Sequence, residues 1–118
     1  ISGLELAEGV ERVGGDLDLF VSILRMYCDD YKDFCTGFDQ LIGSGDLERA
    51  RIKAHDLKGA SGNVSATIVY QVALELEQAC RDGDPDRVKQ WRGRLAAALN
   101  EVTTALDELE RMSSAGSR

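Results

Sequence analysis

Apolar side chains recur along this chain at intervals of three and four residues, the spacing that gives an α-helix one continuous buried face. The longest stripe runs from Leu17 to Ile42 and would fill about seven helical turns. Shorter stripes precede and follow it, separated by breaks that contain glycine and aspartate. The spacing predicts helices over 4–13, 16–42, 46–62, 65–82 and 85–112, followed by a flexible polar tail over 113–118.

The residues at the predicted helix starts are of the types that cap helices. Asp16, Asp46, Ser65 and Asp84 precede apolar stripes, and Pro85 takes a first helical position, where proline loses no hydrogen bond. No alternating apolar run of strand length occurs. Because short connections force consecutive helices to lie side by side, the expected fold is all-α: an antiparallel up-down-up-down four-helix bundle with a short additional N-terminal helix.

Size and charge narrow the class of protein. A chain of 118 residues with 43% hydrophobic content can bury one core, so residues 1–118 are expected to form a single domain. The formal net charge of −7 would repel nucleic acid and an anionic membrane surface, so neither is an expected partner. No stretch approaches the roughly 20 apolar residues that span a bilayer, and the lack of a disulfide pattern among the cysteines favours a cytoplasmic location.

The cysteine and histidine content argues against a metal site. Cys28, Cys35 and Cys80 form no C-x-x-C pair, and with a lone histidine they cannot supply four zinc ligands. We therefore expect reduced, mostly buried thiols and no bound metal or other cofactor in this chain.

The lone histidine lies in the sequence AHDLKGASGN, residues 54–63. Helical geometry places His55 about 120° away from the middle of the apolar stripe of its helix, on the outer surface. Lys58 lies nearby and closer to the core. The same spacing puts four further residues beside His55 on one outward strip, where we expect them to form a docking surface: Glu48, Ile52, Gly59 and Gly62.

Two interpretations of this strip are open. In the first, Gly59 allows tight helix packing, Gly62 ends the helix, and the exposed histidine has no role. In the second, the glycines admit the active site of another macromolecule while Lys58 supplies positive charge to an anion on the ring. Neutral imidazole is a competent nucleophile towards phosphorus and a good leaving group, so the second interpretation indicates reversible phosphoryl transfer through His55.

The stretch AHDLKGASGNVSA also resembles the motif A-H-x-L-K-G-x-x-G-N-hydrophobic-G-A of the histidine-containing phosphotransfer (Hpt) domains of bacterial phosphorelays. The segments GVERVGGDLDLFVSIL and LELEQACRDGD are similar to Hpt domains attached to hybrid sensor kinases. Ser65 departs from the glycine that is common at its position, although serine is small and a good N-cap. The matching positions are Ala54, His55, Leu57, Lys58, Gly59, Gly62, Asn63, Val64 and Ala66.

The resemblance implies a relay intermediate. A phosphorylated aspartate of a receiver domain would pass its phosphoryl group to His55, which would hand it to the aspartate of a second receiver. Lys58 would stabilise charge on the phosphoryl group, and Mg²⁺ would belong to the receiver. Ile52, with Leu17 or Phe20 of the preceding helix, would give an apolar landing surface, and the isolated domain would be monomeric.

Two alternatives differ in class. The dimerisation and phosphoacceptor domain of a histidine kinase carries an H-[ED]-L-R-[TS]-P box on a two-helix hairpin, but Lys58-Gly59 replaces the end of that box here. A non-catalytic helical adaptor would use the same strip only for docking. The missing initiator methionine favours a C-terminal module of a hybrid kinase over a free-standing protein.

Overall fold

The computed structural model of the chain describes residues 2–113, and these residues form helices without strands. The all-α class is therefore confirmed. None of the helices in this range is long and apolar enough to cross a membrane. The helices are α1 (Leu6–Arg12), α2 (Leu17–Tyr31), α3 (Phe34–Gly43), α4 (Leu47–Asn63), α5 (Thr67–Asp82) and α6 (Pro85–Met112).

The helices pack around one apolar core. α4 packs along α5, α5 along α6, α6 against α2 and α3, and α3 against α4, while α1 lies on α2. The 28 residues of α6 extend for about 42 Å at 1.5 Å per residue, close to the 45 Å long axis of the molecule. Four helical segments, namely α2 with α3, α4, α5 and α6, thus surround the core as a bundle. Their up-down-up-down order stays a prediction.

The long helix predicted over 16–42 is wrong in one respect, because it is interrupted after Tyr31. The backbone of Asp33 has φ −102° and ψ 12°, outside helical geometry, and the hydrogen-bond ladder resumes where the Gly37 amide donates to the Asp33 carbonyl. Phe34 and Phe38 stay buried after the break. Periodicity missed the break because the apolar spacing continues across it, whereas aspartate is a weak helix former that favours helix starts.

Three of the predicted caps are confirmed. The side chains of Asp16, Asp46 and Asp84 each accept a hydrogen bond from the backbone amide three residues on, at 3.0 to 3.2 Å. Pro85 follows Asp84 as the first residue of α6. These contacts satisfy amides that have no partner within the helix, and so they fix where α2, α4 and α6 begin.

The C-terminal tail was predicted to begin at residue 113, but Ser113 is buried. Its amide donates to the Leu109 carbonyl at 2.9 Å, and its hydroxyl group bonds to the carboxylate of Asp18. The end of α6 is thereby joined to the start of α2. Residues 114–118, the rest of the predicted tail, lie outside the described residues.

All three cysteines are free thiols, and their surroundings suppress thiolate formation. Cys80 is buried, while Cys28 and Cys35 are partly exposed. Burial raises the pKa of all three, and that of Cys28 to about 11. These thiols therefore act as small apolar groups of the core.

Ser65 does not cap α5, which contradicts its predicted role. α5 begins two residues later at Thr67, with Ala66 in the capping position. Ser65 has φ +57°, in the left-handed region that residues other than glycine rarely adopt. The connection is held by its carbonyl, which accepts from the Glu5 amide at 2.9 Å. The turn, rather than a helix cap, accounts for the glycine that the Hpt motif has at this position.

Replacing Ser65 with glycine should make the protein about 1 kcal/mol more stable than replacing it with alanine, because only glycine relieves the Cβ clash of a positive φ. Urea unfolding followed by circular dichroism measures the difference. Alanine is the matched control, since both variants lose the hydroxyl group. Equal free energies of unfolding for the two variants would be inconsistent with a left-handed residue 65.

Candidate functional site

The imidazole of His55 lies on the outer surface of α4. Its side chain is 63% exposed, while its neighbours Ala54 and Leu57 are fully buried in the core. Successive residues of an α-helix are rotated by about 100°, so His55 faces outward when Ala54 and Leu57 face inward. The ring therefore presents an accessible edge to any partner that approaches α4.

The inner edge of the ring contacts a buried carboxylate that the sequence analysis did not identify. Glu77 of α5 has a side chain only 3% exposed, and its Oε2 lies 2.8 Å from His55 Nδ1. Its other oxygen, Oε1, forms an ion pair with Lys58 Nζ at 2.8 Å. Arg81, one turn along α5, places Nη2 at 3.4 Å from Oε2. We call these four residues the Glu77 cluster.

The protonation state of Glu77 decides which nitrogen of His55 is free. Burial raises the pKa of Glu77, but the facing Lys58 ammonium and His55 ring outweigh it, and the pKa lies below its ordinary value. An ionised carboxylate can only accept hydrogen bonds, so Nδ1 of His55 must carry the proton that it shares with Glu77. The neutral ring then keeps its lone pair on Nε2, at the exposed edge.

Two tyrosines of α2 fix α4 beneath the histidine. The hydroxyl group of Tyr27 shares a buried hydrogen bond of 2.6 Å with Ser61, and that of Tyr31 donates to Asp56 at 2.8 Å. Burial raises the pKa of Tyr27, and burial together with the Asp56 carboxylate raises that of Tyr31 to about 12. Both phenols therefore stay protonated and hold α4 against α2 at positions one and six residues after His55.

The two glycines of the outward strip have different surroundings. A Cβ atom added at Gly59 would meet nothing within 4 Å, so packing within this chain does not require glycine there. At Gly62 a Cβ would lie 3.5 Å from the ring of Tyr70, an ordinary contact, and its carbonyl accepts from Arg12 at 2.6 Å. Gly62 also does not end the helix, which continues to Asn63. The bare surface beside His55 is therefore made by Gly59.

A family model described as the Hpt domain matches residues 22–112, from α2 to the end of α6. The chain belongs to the Hpt domain family. The match contains every member of the Glu77 cluster. Searches of curated proteins and of solved structures found no significant match to the chain.

The remaining residues of the strip are exposed on the same helix of this Hpt domain. Ile52, one turn before His55, is 52% exposed, which leaves an apolar surface beside the imidazole. Glu48 is exposed but is engaged by Arg51 at 2.6 Å, and this pairing lowers the pKa of Glu48. The strip therefore offers a partner an apolar side chain and bare backbone, with its carboxylate already paired.

One of the two apolar candidates from the preceding helix is wrong. Phe20 is 1% exposed, and a Cβ at Gly9 of α1 would lie only 2.5 Å from its ring, so α1 covers Phe20 directly. Leu17 is partly buried against the core. Leu19 is 45% exposed instead, because it follows the cap at a position that faces away from the core.

Glu77 could have been found from the sequence of this Hpt domain. It falls within the apolar stripe of α5, between Ala73 and Cys80, at spacings that turn it towards the core. A carboxylate at such a position needs a paired cation, and His55 and Lys58 of the neighbouring helix are suitable partners. The helix over 65–82 was predicted from its apolar positions, so the acidic residue within the stripe was missed.

The neutral His55 ring should exist as the Nδ1–H tautomer. Long-range ¹H–¹⁵N correlation spectra of protein with ¹⁵N-labelled histidine report this directly at mildly alkaline pH. Because the pKa of Glu77 is lowered, its carboxylate is ionised and can only accept a hydrogen bond at every pH where the ring is neutral. A dominant Nε2–H tautomer would contradict the assignment.

Proposed function

We propose that this Hpt domain is a phosphorelay intermediate that accepts a phosphoryl group from a receiver-domain aspartate onto His55 and passes it to the aspartate of another receiver. Membership of the family implies histidine phosphotransfer in phosphorelay signalling and interaction with receiver domains. The observation that supports His55 as the acceptor is its exposed edge together with the buried carboxylate on Nδ1. This arrangement directs Nε2, the nucleophilic nitrogen, towards the partner.

The transfer step needs no proton to leave the ring. Nε2 attacks phosphorus, the bond from phosphorus to the receiver's aspartate oxygen breaks, and the aspartate departs as a carboxylate. The ring gains positive charge, which the carboxylate of Glu77 balances through Nδ1–H. Lys58 lies one helical turn after His55 with 20% of its side chain exposed, and we propose that its ammonium turns from Glu77 towards the phosphoryl oxygens during transfer.

Charge on α4 fits an acidic partner site. The chain has a net charge of −7, yet α4 carries more basic than acidic side chains. The basic residues are Arg49, Arg51, Lys53 and Lys58, against the acidic residues Glu48 and Asp56. Arg51 and Lys58, at i−4 and i+3 from His55, lie on the same side of the helix as the ring, so a receiver domain that holds Mg²⁺ with a cluster of carboxylates would be attracted there. We propose that the Mg²⁺ of the reaction belongs to the receiver and that this chain holds no cofactor.

The setting of the domain follows from this role. We place it in the cytoplasm as one module, residues 1–118, of a hybrid sensor kinase, acting as a monomer without direct membrane or nucleic-acid contact. The up-down-up-down order of the helices is part of the same proposal, because it presents α4 and α5 side by side to one partner.

The alternatives explain less. A dimerisation domain of a histidine kinase builds its bundle from two chains, whereas α2 to α6 surround one core within this chain. A purely docking adaptor would have no need for a buried carboxylate that joins the exposed histidine to a lysine. The Glu77 cluster therefore favours phosphoryl transfer.

Incubation with receiver domains of the source genome, each phosphorylated with acetyl phosphate, should leave acid-labile, base-stable phosphate on the chain. The His55→Gln variant should carry none, because glutamine cannot act as the nucleophile. Phosphate-affinity electrophoresis and mass spectrometry measure the label. A His55→Gln protein that became labelled to the same extent would refute the assignment of His55.

Gly59→Leu should slow transfer from a receiver by about tenfold, equivalent to roughly 1.4 kcal/mol of lost interaction. The added side chain projects beside His55 into space that we assign to the partner, and it clashes with nothing in the chain itself. Rapid-quench measurement of transfer, together with urea unfolding, separates the two effects.

Gly93→Leu is the matched control, because Gly93 is another exposed helical glycine with open space around it, on α6. Both variants should be at least as stable as the natural protein, since leucine favours helix more than glycine does. A loss of stability in Gly59→Leu with unchanged transfer would instead support a packing role for Gly59.

A further inference from the structure

The hydrogen-bond partner of His55 Nδ1 is an ionised carboxylate, which can accept a hydrogen bond but cannot donate one. A neutral amide in its place could accept from Nδ1–H or, after rotation, donate to a bare Nδ1. The difference matters once Nε2 carries phosphorus, because the ring then holds its Nδ1 proton only in the cationic form. The unprotonated phosphorylated ring would present a lone pair to the carboxylate of Glu77.

We infer that Glu77 keeps phosphorylated His55 in its protonated, labile form through and above neutral pH, so that the phosphoryl group is transferred or hydrolysed readily rather than stored. An opposite charge within about 4–6 Å favours the charged form of a titratable group. The 2.8 Å contact with a carboxylate 3% exposed to water lies well within that range. This inference rests on the proposed function only for the identity of the phosphoacceptor.

A proton on Nδ1 makes the Nε2–P bond more labile because it makes the histidine a better leaving group. In hydrolysis, a water oxygen attacks phosphorus, the Nε2–P bond breaks, and one water proton passes to solvent. With Nδ1 protonated, the histidine departs as neutral imidazole; without that proton it would depart as an imidazolate anion, a far poorer leaving group. Transfer to a receiver aspartate breaks the same bond and benefits in the same way.

The charged groups around the cluster do not replace the role of Glu77. Lys58 and His55 of α4 and Arg81 of α5 make its ion pairs, and Arg51 of α4 is engaged by Glu48. Among residues 2–113, α1, α2, α3 and α6 contribute no ion pair to the carboxylate. Lys58 and Arg81 are cations and would disfavour a proton on the ring, so among these side chains the carboxylate is the one that favours it.

The experiment measures how long the phosphohistidine of the whole chain survives as a function of pH. Phosphoramidate, a small chemical donor whose P–N bond breaks with release of ammonia, labels the chain without any receiver. Decay is then followed by ³¹P nuclear magnetic resonance from about pH 6 to about pH 8.5, a range that spans the titration of imidazole. The variants compared are Glu77→Gln and, as a control of equal charge change on the same helix, Glu75→Gln.

The natural protein and Glu75→Gln should decay at nearly constant rates across this range. The rate for Glu77→Gln should fall by about tenfold as pH rises, because its amide can donate to the unprotonated ring. Lys58→Met should change the decay rate, because Lys58 is assigned to the phosphoryl oxygens, but should leave that rate nearly independent of pH, which separates loss of the carboxylate from loss of the lysine it holds. Coinciding profiles for the natural protein and Glu77→Gln would overturn the inference.

Two further outcomes remain decisive. If Glu77→Gln fails to fold, the natural protein is compared with free Nε2-phosphohistidine, and a profile equal to that of the free amino acid overturns the inference. If receivers fail to label His55 while the phosphoramidate-labelled protein decays as expected, the relay role fails and the inference stands.

Discussion

A carboxylate removed from water is the constraint on which the site depends. The side chain of Glu77 is almost completely buried between α4 and α5, and an unpaired charge in that position would cost several kcal/mol. Its charge is compatible with folding because α4 provides two partners, the ring of His55 and the ammonium of Lys58, each at 2.8 Å. The same two contacts fix the histidine edge that faces outward. Stability of the helix pair and orientation of the nucleophile therefore have one physical cause.

The rest of the fold serves this contact by bringing two helices close together and holding them there. Ala50 and Ala54 are fully buried on α4, and small side chains at these positions allow the neighbouring helices to approach closely. The buried bond between Tyr27 and Ser61 joins α4 to α2 on its other side. A histidine on a surface held from both sides loses little freedom when a partner binds, which favours a fast transfer step.

Much of this could be predicted from the sequence. The spacing of apolar residues predicted the buried face of each helix and the outward position of His55, because that spacing depends only on which side of a helix is buried. It missed the interruption at Asp33, since a break of two residues leaves the apolar face continuous. It also misassigned Ser65, whose positive φ depends on the turn that joins α4 to α5 and not on serine itself. Glu77 was overlooked because its partners lie on another helix, 22 residues away for His55.

The central claim is that phosphorus enters at Nε2 while the proton stays on Nδ1 against Glu77. The most direct measurement is the ¹⁵N and ³¹P nuclear magnetic resonance of the phosphorylated protein with ¹⁵N-labelled histidine. The account predicts coupling of phosphorus to Nε2 together with a slowly exchanging proton on Nδ1. Phosphorus bonded to Nδ1, or an unprotonated Nδ1 at neutral pH, would contradict it.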